Sequence, residues 1–122
     1  MTCVGYVYVD FVIKGGKLSK KIRAVVDTGS AYVVLDSKTI SEVGLYETPY
    51  KVGLTLADGR KVEVKLYLAE VEVKGRKGPV FVAELDVPVP ILGVHALETL
   101  GLKPDPSTGK LEVIGPEGGY LL

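Results

Sequence analysis

The string Val25-Val26-Asp27-Thr28-Gly29-Ser30 constrains this chain more than any other. Two β-branched residues run straight into an acid, followed by a hydroxyl residue, a glycine and a second hydroxyl residue. That order puts a carboxylate at the exit of a buried strand, inside a tight turn ringed by hydroxyls and backbone N–H groups. Such surroundings hold a carboxylate in a fixed orientation. A plainer role is also open, in which Asp27 caps its own turn through its neighbours' N–H groups. The string occurs once in 122 residues. Chemistry by paired carboxylates therefore needs a second chain.

The rest of the sequence reads as short strands cut by Gly and Pro. Tyr6 to Ile13 is a β-branched and aromatic run, Gly15-Gly16 a turn, and Leu18 to Val26 the partner strand. Val33-Val34-Leu35 is a short buried strand. Ser37 is placed to cap a brief helix ending at Gly44. Val52 to Leu56 and Lys61 to Val73 flank a tight turn at Ala57-Asp58-Gly59-Arg60, where Asp-Gly is a strong hairpin signal. Gly75 to Gly78 is a further turn before a strand over Pro79 to Leu85. Val87-Pro88-Val89-Pro90 is stiff and extended. Val94 to Leu100 is the clearest helix, with Val94, Leu97 and Leu100 on one stripe and Gly101 as its left-handed stop. A turn over Pro104 to Gly109 precedes a last strand, Leu111 to Ile114. The tail, 115–122, ends in Tyr120-Leu121-Leu122; it either packs on the body or a partner chain or stays loosely ordered. Many short strands with two small helices indicate an all-β barrel or sandwich-like fold, in one domain over residues 1–122.

Composition removes several function classes. Fifteen basic and fifteen acidic residues leave no net charge, which argues against a nucleic-acid partner. No block of like charge suggests a membrane surface, and no apolar run approaches the roughly 18 residues of a spanning helix. The N-terminus lacks the basic, apolar and small-residue regions of a secretory leader. Cys3 is the one cysteine, so no disulfide forms within the chain and a reducing, cytoplasmic setting is expected. The one histidine, His95, lies far in sequence from Ser30, and nothing in the sequence joins the two into a nucleophilic triad. Clusters of His and Cys for a metal are absent, as is a phosphate-binding glycine loop, so neither metal nor cofactor is expected. Carboxylate chemistry is what remains. Two carboxylates within hydrogen-bonding distance do not both ionise readily, so the pair offers a base and an acid together.

The motif Val25 to Ser30 resembles the active-site motif of retropepsin-like aspartic proteases: two apolar residues, then Asp-Thr/Ser-Gly-Ala/Ser. The Asp58-Gly59 hairpin falls where that family carries its flap. Ile91-Leu92-Gly93 resembles its second signature, which packs beneath the catalytic turn, and Val94 to Gly101 the helix that follows. The order and spacing of these features agree from about Tyr6 to Ile114. The resemblance implies an all-β closed barrel with one or two short helices, acting as a homodimeric endopeptidase on a peptide or protein substrate. It implies Asp27 as the catalytic acid, one from each subunit, and Thr28 as a hydrogen-bonding lock across the dimer axis. It implies close substrate approach at Gly29 and a Ser30 hydroxyl donating to an Asp27 oxygen. Leu56 to Val62, with Asp58 and Gly59 at the tip, would cover the cleft. Pro88, Val89 and Ile91 would line apolar side-chain pockets.

The sequence also departs from that pattern. Ala31 and Tyr32 stand where retroviral enzymes commonly carry acids, Val94 stands where Arg or another polar residue is frequent, and the flap tip carries Asp58, Arg60 and Lys61. These departures favour a different reading on the same fold, a non-catalytic peptide-binding or dimerisation module. A β-barrel domain with an unrelated binding function is a third. The intact Asp27, Thr28 and Gly29 favour the enzyme.

Overall fold

The structure is a computed structural model and describes residues 7–56 and 58–115. Its elements follow the chain as β1 (Val7–Lys14), β2 (Ser19–Asp27), β3 (Val33–Leu35), α1 (Ser37–Val43), β4 (Tyr46–Thr55), β5 (Lys61–Val73), β6 (Arg76–Glu84), β7 (Ile91–Gly93), α2 (Val94–Leu100), β8 (Leu102–Asp105) and β9 (Lys110–Val113). Tyr6, Ala57 and the tail from 116 to 122 lie outside the described residues.

Six strands close on themselves. β1 pairs antiparallel with β2, and β2 runs parallel to β7. β7 meets β3 through Val34 and Ile91, β3 runs parallel to β6, and β6 pairs antiparallel with β5. Three rungs from β5 back to β1, Val12 with Glu72, Ile13 with Val71 and Lys14 with Glu70, complete the ring. β4 stands outside it, paired only with β5 and carrying the long hairpin. The expected all-β closed barrel with two short helices is what the chain forms.

Alternation along the strands explains the closure. On β5, Ala69, Val71 and Val73 face inward, while Leu68 and Glu70 face out. The inward residues meet Phe11 and Ile13 of β1, Leu35 of β3 and Val82 of β6 in the main core. α2 lays Ala96, Leu97 and Leu100 on the same core, and Leu102 and Leu111 of the β8–β9 ribbon seal its end. A smaller cluster, Val34, Val64 and Ala83 with Tyr32, Val52, Leu54, Leu85, Val87 and Ile91 packed on it, sits at the opposite end, beneath the hairpin. That end carries the candidate site.

Several boundaries differ from the sequence reading. Pro104 and Asp105, expected in a turn, end the strand β8 and pair with Leu111 and Lys110 of β9. α1 is capped by Asp36, not Ser37: the Asp36 carboxylate accepts from the Thr39 N–H at 2.9 Å. Ser37 is the first helical residue, and its N–H and hydroxyl both donate to Asp86 Oδ1 at 3.3 Å. The turn before β6 is Lys74-Gly75, with positive φ at both residues (52° and 76°), as a two-residue type I′ connection requires. β6 therefore begins at Arg76, three residues before the expected start. β4 begins at Tyr46, six residues before the expected strand, and passes an irregularity between Glu47 and Lys51. No helix among the described residues is long and apolar enough to cross a membrane.

Candidate active site

β2 delivers Asp27 to the rim of the barrel. Its last rung pairs Asp27 with Gly93 of β7, so the acid sits where two parallel strands end together. The chain then turns sharply, with the Ser30 N–H donating to the Asp27 carbonyl at 3.1 Å. The Gly29 N–H donates to Asp27 Oδ1 at 2.9 Å, fixing the carboxylate against the turn. A Cβ at Gly29 would stand 3.2 Å from that same oxygen. Asp27 is nonetheless exposed, and it lines the cavity above.

Ile91-Leu92-Gly93 packs under this turn. The Val94 N–H donates to the Ser30 carbonyl at 2.7 Å and the His95 N–H to the Ala31 carbonyl at 3.4 Å, so α2 hangs from the segment after Asp27. Gly93 is needed for closeness rather than for an unusual φ. A Cβ there would lie 2.3 Å from the Tyr32 carbonyl oxygen and 2.6 Å from that of Ser30. Thr28 is exposed, and no hydrogen bond within the described residues engages its hydroxyl. The Ser30 hydroxyl donates to the Tyr32 carbonyl at 3.0 Å, not to Asp27 as expected. One backbone N–H, that of Gly29, rather than a ring of hydroxyls, thus holds the carboxylate.

A cavity of about 560 Å³ opens over Asp27. Its walls come from Gly29 to Tyr32 and Val34, from Gly53 to Leu56 on the hairpin arm, and from Leu85, Val87 and Ile91. Asp27 carries the only formal charge among these lining residues. Of the three residues expected to line pockets, Ile91 does so. Pro88 and Val89 are exposed and lie outside the cavity of the single chain. Leu85 and Val87 take the inward places instead. They alternate with Asp86 and Pro88 along an extended stretch, a period-two pattern that marks one apolar face without saying which way it turns. Leu54 and Leu56 were likewise readable only as part of the Val52-Leu54-Leu56 alternation.

The hairpin tip holds its charges to itself. The Leu56 N–H donates to the Arg60 carbonyl at 2.7 Å and the Gly59 N–H to the Leu56 carbonyl at 2.9 Å, with Gly59 at φ 87°. Asp58 Oδ1 accepts from the Arg60 N–H at 3.0 Å, and Asp58 Oδ2 from Arg60 Nε at 2.6 Å. The Arg60 backbone N–H, then its guanidinium, hold the Asp58 carboxyl below the usual carboxylate range. His95 is exposed on α2, 3.9 Å from Glu98 and edge-on to Tyr32; the Ser30 hydroxyl is engaged elsewhere, so no triad forms.

The model of the family described as aspartyl protease matches residues 9–96, well over half of the chain. This chain belongs to the aspartyl protease family. The matched span of this aspartyl protease family member takes in the Asp27 turn, the hairpin and Ile91-Leu92-Gly93. Among solved structures it is similar to EIAV protease, complexed there with the inhibitor HBY-793. The two share 23% identity and a TM-score of 0.64, over 83% of this chain and 93% of that one. That likeness establishes the retropepsin-like barrel. No curated protein matches it in sequence.

Proposed function

We propose that this aspartyl protease family member is an endopeptidase that acts as a homodimer, through a water held between two Asp27 carboxylates, one from each subunit. The observation that carries the reading is the Asp27 turn itself. One carboxylate is fixed by the Gly29 N–H, bared to an apolar cavity, and present once per chain. A two-fold axis beside that turn would bring its twin within hydrogen-bonding distance. The pair then shares one proton, an effect for which the aspartic-protease dyad is the standing example. The ionised carboxylate takes a proton from water as its oxygen attacks the scissile carbonyl. The protonated one gives its proton to the carbonyl oxygen, forming a tetrahedral diol. Collapse returns a proton to the amine as the C–N bond breaks. No covalent intermediate forms.

The remaining residues follow from that arrangement. Thr28 supplies a hydroxyl to the partner's turn, and Gly29 leaves room for the substrate backbone. Leu54 and Leu56 on the hairpin arm, with Asp58 and Gly59 at its tip, close over the peptide and exclude water. Pro88 and Val89 complete the side-chain pockets from the rim once two copies meet. Asp58 and Arg60 pair with each other, so the charged tip gives the non-catalytic reading little support. The lone Cys3 accords with a reducing, cytoplasmic setting.

The test is cleavage of a denatured protein at acidic to mildly acidic pH, with and without a statine-type inhibitor, for wild type and Asp27→Asn. The expected outcome is cutting that the inhibitor blocks and the substitution lowers by about 10³-fold or more, with the dimer retained. Undiminished cutting by Asp27→Asn would reject the mechanism.

A further inference from the structure

Away from Asp27, one stretch of surface breaks the polarity of the barrel. The outward row across β4, β5 and β6 is Tyr46, Leu68 and Phe81, with Tyr46 directly opposite Leu68 and Leu68 directly opposite Phe81. They are 66%, 41% and 49% exposed. Residues opposite one another on adjacent antiparallel strands share a face, so the three make one apolar strip about 10 Å across. On one side of the strip the outer face turns charged: Glu70 lies opposite Lys14, and a row further on Glu72 lies opposite Lys77. Three large apolar side chains in one exposed row, bordered by charge on one side, make a contact surface rather than scattered exposure.

The strip continues beyond Phe81. Phe81 forms one wall of a second hollow, about 170 Å³, between β6 and α2, with Ala31, Tyr32, His95 and Thr99 among its other walls. Ala31 and Tyr32 also line the cavity beside Asp27. Tyr32, its ring 6.4 Å from that of His95, is thus a partition with the reacting site on one side and the hollow on the other. A dry hollow of about 150 Å³ accepts a benzene ring, so this one has room for a large apolar side chain.

Resting on the endopeptidase reading, we propose that this hollow and the Tyr46–Leu68–Phe81 strip form an outer docking site for the substrate polypeptide. The site takes aromatic or large aliphatic side chains from the segment that leaves the cleft past Tyr32. Continuity through Tyr32 names the occupant: a chain held over Asp27 reaches the hollow without crossing the charged rows. In a two-fold dimer each end of the substrate meets one such site, so the enzyme favours long, unfolded, aromatic-bearing polypeptides over short peptides.

The test reads binding without cleavage, using the Asp27→Asn protein and fluorescence anisotropy. The probes are a dye-labelled peptide of about eight residues with Leu-Phe at its centre, roughly 27 Å when extended, and two longer forms. Both longer forms add about six residues at each end, one with Phe in the additions and the other with Ser in its place. The Phe form is expected to bind about tenfold tighter than the short peptide, and the Ser form no tighter. Adding Phe81→Ser and Leu68→Ser should remove that gain and leave the short peptide's Kd unchanged. Equal affinity for all three probes, binding of none, or a gain that survives the surface substitutions would each overturn the proposal. Loss of the dimer on Phe81→Ser and Leu68→Ser would also overturn it, by making the strip a subunit contact. If wild type fails to cut the short peptide while the Phe gain is present, the docking site stands and the catalytic reading falls.

Discussion

At the scale of single residues, the site depends on two glycines and one acid. The Gly29 N–H aims the Asp27 carboxylate, and the bare Cα of Gly93 lets α2 hang from the Ser30 and Ala31 carbonyls directly under it. An added methyl at Gly93 meets backbone oxygen, which has no rotamer through which to move aside. Gly93→Ala should therefore destabilise by about 2–3 kcal/mol and lower cleavage as the turn shifts. Gly53→Ala, where a Cβ meets nothing within 4 Å, should stay within about 0.5 kcal/mol of wild type. Urea unfolding of the two variants checks both values. Equal stability would mean the turn is not braced from below. Asp27 and Gly93 were visible in the sequence because each lies in a short string of unusual composition. The Ser30 hydroxyl was misread because its choice between Asp27 and the Tyr32 carbonyl depends on how the turn curls back, which adjacent residues do not determine.

At the scale of elements, α1 reaches the site indirectly. Ser37, at its start, donates twice to Asp86, and Asp86 lies between Leu85 and Val87 in the cavity wall. Asp36 caps the helix, and the Thr39 hydroxyl and N–H hold its carboxyl below the usual range. Folding thus favours the ionised form. The cap's contribution is whole above the ordinary carboxylate pKa and is lost as pH falls through that range toward the lowered folded value. Asp36→Ala should cost about 1 kcal/mol at neutral pH. The gap from wild type should close as acid denaturation series pass below about pH 4. A gap constant down to the lowest pH would show that the loss is not the cap's charge. α2, β3 and β5 were legible to the residue, because their stripes and alternation are long or sharply bounded. The parallel pairing of β7 with β2 was not. β7 has three residues, and its partner lies more than sixty positions earlier, so no local period records it. The early start of β6 was hidden by Lys74, a non-glycine residue at positive φ.

At the scale of the whole molecule, the barrel closes through only three rungs between β5 and β1, yet its core runs unbroken from Phe11 through Val71 to Leu100. That closed body leaves β4 and the hairpin free of the ring to cover a cavity, and leaves Asp27 and Thr28 exposed at the end of β2. Family and barrel were legible because four short motifs fall in one order along the chain. The pocket walls were less so: whether Leu85 and Val87 or Pro88 and Val89 face inward is set by the rungs of β6 on β3, far from the residues themselves.

The most direct measurement is a mixing series. Wild type and Asp27→Asn chains are unfolded, combined at fixed total concentration, refolded, and assayed for cleavage at acidic pH. If each reacting centre needs one Asp27 from each of two chains, activity follows the square of the wild-type fraction, and an equal mixture retains about one quarter. Activity that falls in simple proportion, leaving about one half in the equal mixture, would mean that a single chain suffices, and would contradict the shared-proton pair.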